Sequence, residues 1–176
     1  MILKKVTDSR DSALSFIKPL YEHSFPLHER REWEQLLQSL REPSVELLVI
    51  QQHEELIGFA ILWKLDGWHY LEHFAIDPKQ RSKKYGSKVM ELLKKHCVKG
   101  LILEVEPPIE EMAKRRIGFY ERLGFIICPF EYQQPPYRKG EDWHPMLLMS
   151  VPEITSESAF EHIATTIHTE VYTRFY

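Results

Sequence analysis

Hydrophobic positions along this chain change their period several times, and each change marks an element. Ile2 to Val6 reads as a short first strand. From Ser12 onward Leu14, Phe16, Ile17, Leu20 and Tyr21 recur at helical spacing. The turn Ser24-Phe-Pro-Leu-His28 interrupts this pattern. A second helix follows from about Glu29 to Leu40, with Trp33, Leu36, Leu37 and Leu40 on one face and Pro43 beyond its end. Three strand-like runs come next, Val45–Gln51, Leu56–Leu65 and Trp68–Ile76. His53-Glu54-Glu55 separates the first two, and Asp66-Gly67, a strong two-residue hairpin signal, separates the second and third.

Helical spacing returns with Val89, Met90, Leu92, Leu93 and Cys97, and Gly100 stands at a C-cap position. Leu101–Val105 is a compact apolar run of the kind buried on both faces of a sheet. After Pro107-Pro108 a helix is expected from about Glu110 to Leu123, ended by Gly124, and Phe125–Phe130 reads as a strand. Residues Glu131–Trp143, rich in Pro, Tyr and charge, read as a loop, and Met146–Val151 resumes a strand. A last amphipathic helix over about 157–175 carries Phe160, Ile163, Ile167, Val171 and Phe175 on one stripe, with Ser158 and Glu161 spaced as a capping box. It either caps the sheet or pairs with a second subunit. The order β-α-α-β-β-β-α-β-α-β-β plus a C-terminal helix predicts an α/β (α+β) fold. Helices would cover a mixed central sheet, with one parallel crossover between the Trp68 and Leu101 strands. No repeat or linker divides the chain, so residues 1–176 are expected to form one domain with a core over about 2–151.

Composition narrows the partners. A hydrophobic content of 43% and a charged content of 28% are those of an ordinary globular domain. The net charge of −3 argues against broad binding to nucleic acid or to an anionic membrane. Local charge is different: between Lys79 and Lys95 there are seven Lys/Arg and one Glu. Cys97 and Cys128 are too few for a disulfide framework and read as small buried thiols in a reducing compartment. The first residues lack the pattern of a signal peptide, and no apolar run is long enough to cross a bilayer, so the cytoplasm is expected. No metal-ligand spacing stands out.

The basic stretch carries the most chemistry. Ile76-Asp-Pro-Lys-Gln-Arg-Ser-Lys-Lys-Tyr-Gly-Ser-Lys88 reads as the end of a strand, a tight loop and the first turn of a helix. The N–H groups of that turn have no intrahelical acceptors, and the helix dipole is positive there. With Lys79, Arg81, Lys83 and Lys84 they make a phosphate cradle, and Gly86 lets the backbone approach a ligand. A P-loop is excluded by the missing Gly-Lys-Ser/Thr ending, and a dinucleotide fingerprint by the single glycine.

Leu71-Glu-His-Phe-Ala-Ile76 followed by Asp77-Pro78 and Arg81-Ser-Lys-Lys-Tyr-Gly86 resembles the acetyl-CoA motif of the GNAT N-acetyltransferase superfamily, Arg/Gln-x-x-Gly-x-Gly/Ala after a strand ending in apolar-x-Pro. Arg116-Ile-Gly-Phe-Tyr-Glu-Arg-Leu-Gly-Phe125 resembles its second signature, Phe-Tyr-x-x-x-Gly-Phe. Both motifs occur in the family's order, and the resemblance covers about Ile2 to Val151. Three positions depart from the pattern. Lys84 replaces the first glycine, Ser82 stands where many members have another, and Ala113 occupies the place of a frequent Asn.

The resemblance implies acetyl transfer from acetyl-CoA to a primary amine of a small molecule or peptide, without a metal. Main-chain groups of Phe74, Ala75 and Ile76 would pair with the pantetheine arm. Those of Ser82, Lys83, Lys84, Tyr85, Gly86 and Ser87 would hold the pyrophosphate, with charge from Arg81 and a further contact from Arg116. An alkyl amine of pKa ~10.4 needs a proton acceptor at neutral pH. Glu72, on the same strand face as Tyr70 and Phe74, is the expected water-mediated base, and Tyr120 the acid for the departing thiolate. His73 falls on the opposite face by alternation. The acceptor groove would draw on Tyr21, Glu22, Phe25, His28, Glu29, Tyr132, Tyr137 and Trp143, a set suited to a cationic or aromatic amine. A homodimer is compatible with the last helix. Two other readings compete: a non-catalytic acyl-CoA-binding sensor, and a nucleic-acid module using Lys79–Lys95, the latter disfavoured by net charge.

Overall fold

The computed structural model describes residues 1–81 and 83–176. Ser82, expected in the phosphate-binding loop, lies outside the described residues. The fold is mixed α/β, with a central, mostly antiparallel sheet flanked by helices. Two compact units compose it, one of Met1–Trp63 with Leu71–His96 and the other of Lys64–Tyr70 with Cys97–Tyr176.

In the first unit the strand order is β1 (Ile2–Val6), β2 (Val45–Gln52), β3 (Glu55–Leu65) and β4 (Trp68–Ile76). β1 and β2 run antiparallel with Val6 opposite Leu47, and β2 meets β3 with Val45 opposite Trp63. The expected strands match these closely because their apolar residues fill the interior: Leu47, Ile50, Ile57, Phe59 and Ile61 are fully buried. Gly58 is required by close approach, since a Cβ there would lie 2.3 Å from the Ala75 carbonyl oxygen. α1 (Leu14–Ser24) buries Ile17 and Tyr21, and α3 (Tyr85–His96) buries Val89, Met90 and Leu93. The second helix is shorter than its pattern. A single 3-10 turn covers Leu27–Glu29, and α2 begins only at Trp33 and ends at Ser39. Glu32 and Gln35 form its capping box, which fixes the start beyond the charged run 29–32.

In the second unit β5 (Leu101–Val105) pairs antiparallel with β8 (His144–Val151), Leu103 opposite Met149. β8 also pairs with β6 (Ile126–Ile127) and with β7 (Tyr132–Gln134). Two expectations are corrected here. The strand expected over 125–130 is only two residues long, and the segment read as loop supplies β7. α4 spans Glu111–Glu121. Asp66 and Gly67 both take positive φ, 45° and 94°, as the expected hairpin turn demands. Gly100 is no helix cap, because α3 stops at His96; a Cβ at Gly100 would fall 2.3 Å from the Trp68 ring. The last helix is capped by Ser156, whose hydroxyl accepts from the Ala159 N–H, rather than by Ser158. It runs as α5 (Glu157–Thr166), then widens into a π-helical turn over Ile167–Tyr172 and closes in a 3-10 turn. Phe160, Ile163, Ile167 and Val171 are buried within this chain, and the wider turn adds Tyr172 to them. Among the described residues no helix is long and apolar enough to cross a membrane.

Candidate functional site

Asp77 opens the basic loop as a turn-former: its Oδ1 accepts from the Lys79 N–H at 2.9 Å, and Pro78–Gln80 make a 3-10 turn. Lys84 then takes φ 57°, the left-handed conformation for which glycine is the default. The lysine adopts this glycine-favoured conformation at a cost of roughly 1–2 kcal/mol. α3 starts at the next residue, with no acid in its first turn. Lys79, Arg81, Lys83, Lys84 and Lys88 are exposed, and among the described residues none of them forms an ion pair. Lys83 and Lys88 flank the Tyr85 ring at 5.9 and 6.0 Å, and Lys83 Nζ donates to Gln80 at 2.8 Å. Exposed cationic side chains thus stand beside the first turn of α3, where main-chain N–H groups lack intrahelical acceptors.

Upstream on β4, Phe74 and Ile76 are half-buried and Ala75 is buried. Glu72 is half-buried as a residue while its side chain has no exposure at all, so its accessible surface is main chain. The carboxylate is engaged on both oxygens. Oε1 accepts from Arg31 Nε at 3.1 Å and Oε2 from Trp63 Nε1 at 2.7 Å. Arg31 is itself buried, with its guanidinium 5.4 Å from the Trp63 ring. Strict strand alternation fails at the next residue, for His73 Nδ1 lies 3.9 Å from Glu72 Oε1. His73 Nε2 meets the Glu29 carbonyl oxygen at 3.0 Å, and burial lowers its pKa, so the imidazole is held neutral. Tyr21 and Phe25, expected in the acceptor groove, pack edge-on against His73 at 5.1 and 4.4 Å. Tyr21 is fully buried, and its hydroxyl accepts from the Arg31 N–H at 2.9 Å. Glu22, His28 and Glu29 are exposed, the last two forming a surface pair.

In the second unit Tyr120 sits on α4, half-buried, with Phe119 and Phe125 rings at 5.2 and 5.6 Å. Burial pushes its pKa up to about 12, opposed by Arg116 and assisted by Glu106. Its hydroxyl bonds no described residue, so the proton stays on Oη and free for donation. Arg116 is bonded to Glu106, and both line an open cavity of about 370 Å³ with Ile109, Met112 and Ala113. Tyr132 and Tyr137 are buried while Trp143 is 48% exposed. Sequence reasoning missed Arg31 and Trp63, because a charged run at 29–32 and an indole in an apolar strand carry no sign of their long-range partners. It also passed over Glu104, whose signal was visible as the one charge in an apolar strand.

Residues 11–125 match the family model described as Acetyltransferase (GNAT) family. The chain belongs to this family. A GNAT-family protein from Bacteroides thetaiotaomicron is 38% identical, with 98% of each chain covered and a TM-score of 0.93. This GNAT chain also shares its fold with two more distant enzymes. One is a spermidine N-acetyltransferase from Vibrio cholerae (13% identity, 86% of this chain and 94% of that one, TM-score 0.65). The other is the ribosomal-protein-S18-alanine N-acetyltransferase from Escherichia coli (19%, 89% and 97%, 0.61). Among curated proteins no sequence match is found. The family as a whole transfers acyl groups from acetyl-CoA to amines.

Proposed function

We propose that this GNAT protein transfers the acetyl group of acetyl-CoA to a primary amine of a small molecule or peptide by direct attack. One observation carries the reading. The loop leading into α3 keeps its glycine-like course through Lys84 and presents unpaired cations beside the helix N-terminus. The family model spans residues of both compact units, which supports treating all 176 residues as one acetyltransferase domain. Two buried cysteines that form no disulfide among the described residues suit a reducing cytoplasm.

Acetyl-CoA, when bound, supplies the activated thioester. Main-chain N–H groups over 82–87, with Arg81, are the proposed holders of its diphosphate, and the main chain of Phe74, Ala75 and Ile76 the proposed partner of its pantetheine arm. Arg116, bonded to Glu106, is the proposed further contact to acetyl-CoA. Tyr120 Oη, protonated far above neutral pH, donates to the departing sulfur. Glu72 is proposed to take the amine proton through water. Both of its oxygens already accept hydrogen bonds, and its side chain has no exposed surface. That geometry favours a second reading of Glu72 as an anchor that fixes Arg31 and Trp63. Glu72→Gln separates the two. A base role predicts at least a tenfold loss of kcat with an altered acid limb of the pH profile. An anchor role predicts a lower Tm with the profile unchanged.

The proposal is tested by calorimetric titration with acetyl-CoA, with free CoA and an oligonucleotide of equal charge as controls, followed by thiol release on addition of amines. One-to-one micromolar binding with turnover is expected. Binding without turnover of any amine would favour the acyl-CoA sensor instead.

A further inference from the structure

Among the described residues, one buried glutamate of the second unit has no cationic partner. Glu104 lies on β5 opposite Leu148 of β8. Oε1 accepts from the Tyr132 hydroxyl; Oε2 accepts from Gln134 Nε2 at 2.6 Å and from the Tyr172 hydroxyl at 2.8 Å. Tyr70 Oη joins the network through Tyr172 Oη at 2.9 Å. Among the described residues no Lys, Arg or His lies within ion-pair distance of this carboxylate. The other buried glutamates each have such a partner: Glu72 has Arg31, and Glu46 has Lys5 and His96. A desolvated carboxylate with only neutral donors is an electrostatic debit that an external cation would relieve.

Three further features point the same way. Glu104 and Gln134 keep partial exposure as residues, while Tyr70, Tyr132 and Tyr172 are buried. Aromatic rings pack around it at a tilt, Tyr137 against Tyr172 at 5.0 Å and His168 against Tyr132 at 5.2 Å, a composition that favours cations. His168 is kept neutral by burial and hydrogen-bonded to the main chain of Gln133, and its buried Nε2 has no partner. That lone pair can accept from an ammonium N–H. His168 and Tyr172 both come from the π-helical turn, a rare element that recurs at functional sites.

We propose that Glu104, with Tyr70, Tyr132, Tyr172 and Gln134, anchors a cationic nitrogen of the acceptor that stays charged while another amine of the same molecule reacts. This rests on the acetyl-transfer reading and narrows its substrate class to amines with a second positive charge. Three neutral donors occupy three of the carboxylate's four lone-pair directions and leave one for the cation, the arrangement of an anchor.

The test compares 1,4-diaminobutane with 4-amino-1-butanol, probes of similar length that differ in the second charge. By calorimetry without acetyl-CoA, the diamine is expected to bind at least tenfold more tightly, and Glu104→Gln, matched to wild type in Tm, to remove the preference. The side-chain carboxyl 13C resonance of Glu104 in the wild-type protein should shift with the diamine and not with the amino alcohol, a readout that needs no variant. Equal affinities, no binding of either probe, or a preference retained in folded Glu104→Gln would overturn the proposal. Acetyl-CoA binding and thiol release are read separately. Their absence would sink the acetyl-transfer reading while the two-probe comparison still stands or falls by itself.

Discussion

Glu72 in the first unit and Glu104 in the second are both buried glutamates on strands, and they are satisfied in opposite ways. Glu72 is neutralised from within by Arg31 and further held by Trp63. Glu104 has hydrogen bonds but, among the described residues, no compensating charge. The first arrangement is closed: charge, cation and indole complete one another and fix where the chain at 31 meets the sheet. The second is held by neutral donors on both oxygens and is incomplete in charge, which is the condition for recognising something from outside. Burial raises the Glu104 carboxyl above its ordinary 4.5, opposed by the hydroxyls and amide that bond it. Desolvation thus outweighs hydrogen bonding, as neutral donors alone allow.

The contrast can be broken most forcefully at Arg31. Arg31→Met leaves Glu72 buried without its cation, and a loss of about 3–5 kcal/mol in unfolding free energy is expected. Urea denaturation checks this. Replacing Glu72 by Met as well should recover most of the loss; if the double variant is no better than the single one, the pair is not what Arg31 contributes.

A smaller effect is expected on turnover. Tyr120→Phe removes a hydroxyl that bonds no described residue, so Tm should hold while kcat falls at least tenfold and acetyl-CoA affinity stays within a few-fold. Tyr172→Phe should do the reverse, lowering stability by about 1 kcal/mol through its lost bond to Glu104. A Tyr120→Phe enzyme with undiminished kcat would remove that residue from the chemistry.

The two carboxylates should also differ in pH dependence. The folded pKa of Glu104 lies above its unfolded value, so its contribution to stability is full below about 4.5 and is lost as pH rises through the folded value. Glu104→Gln lacks that loss. Its stability relative to wild type should therefore rise with pH across this window and level off above it. Urea midpoints at several pH values measure the trend, and a flat difference would show that the carboxyl titrates alike in both states.

The smallest effect concerns Lys84. Lys84→Gly relieves a left-handed side chain and removes one cation from the loop. Stability should rise by no more than about 1–2 kcal/mol, while acetyl-CoA affinity falls a few-fold at low salt and less at high salt. Unchanged affinity at both would remove the lysine charge from phosphate binding.

Much of this protein could be read from its chain because the decisive signals are local. The apolar run Leu101–Val105 and the runs either side of Asp66-Gly67 were read as strands close to those observed, since hydrophobic pattern and turn chemistry act over a few residues. The basic loop and the Phe119-Tyr120 signature were legible for the same reason. Where local signals conflict, the reading slipped. Glu29–Glu32 carries helical composition, but the Glu32–Gln35 capping box starts α2 later. The segment read as loop at 131–143 becomes β7 only because β8 offers it an edge. Gly100 is glycine because of the Trp68 ring, not because a helix ends there.

What only the tertiary structure decided is which charges compensate which. Arg31 and Glu72 are 41 residues apart, and Tyr172 and Glu104 are 68 apart. No periodicity links residues at such separations, because their meeting depends on strand register and on where the last helix widens. The sequence determined the elements and the anion-binding loop through backbone geometry and local hydrophobic pattern. The pairing of buried charges, and hence which carboxylate is closed and which is left for a ligand, follows from desolvation, and desolvation exists only once the chain has packed.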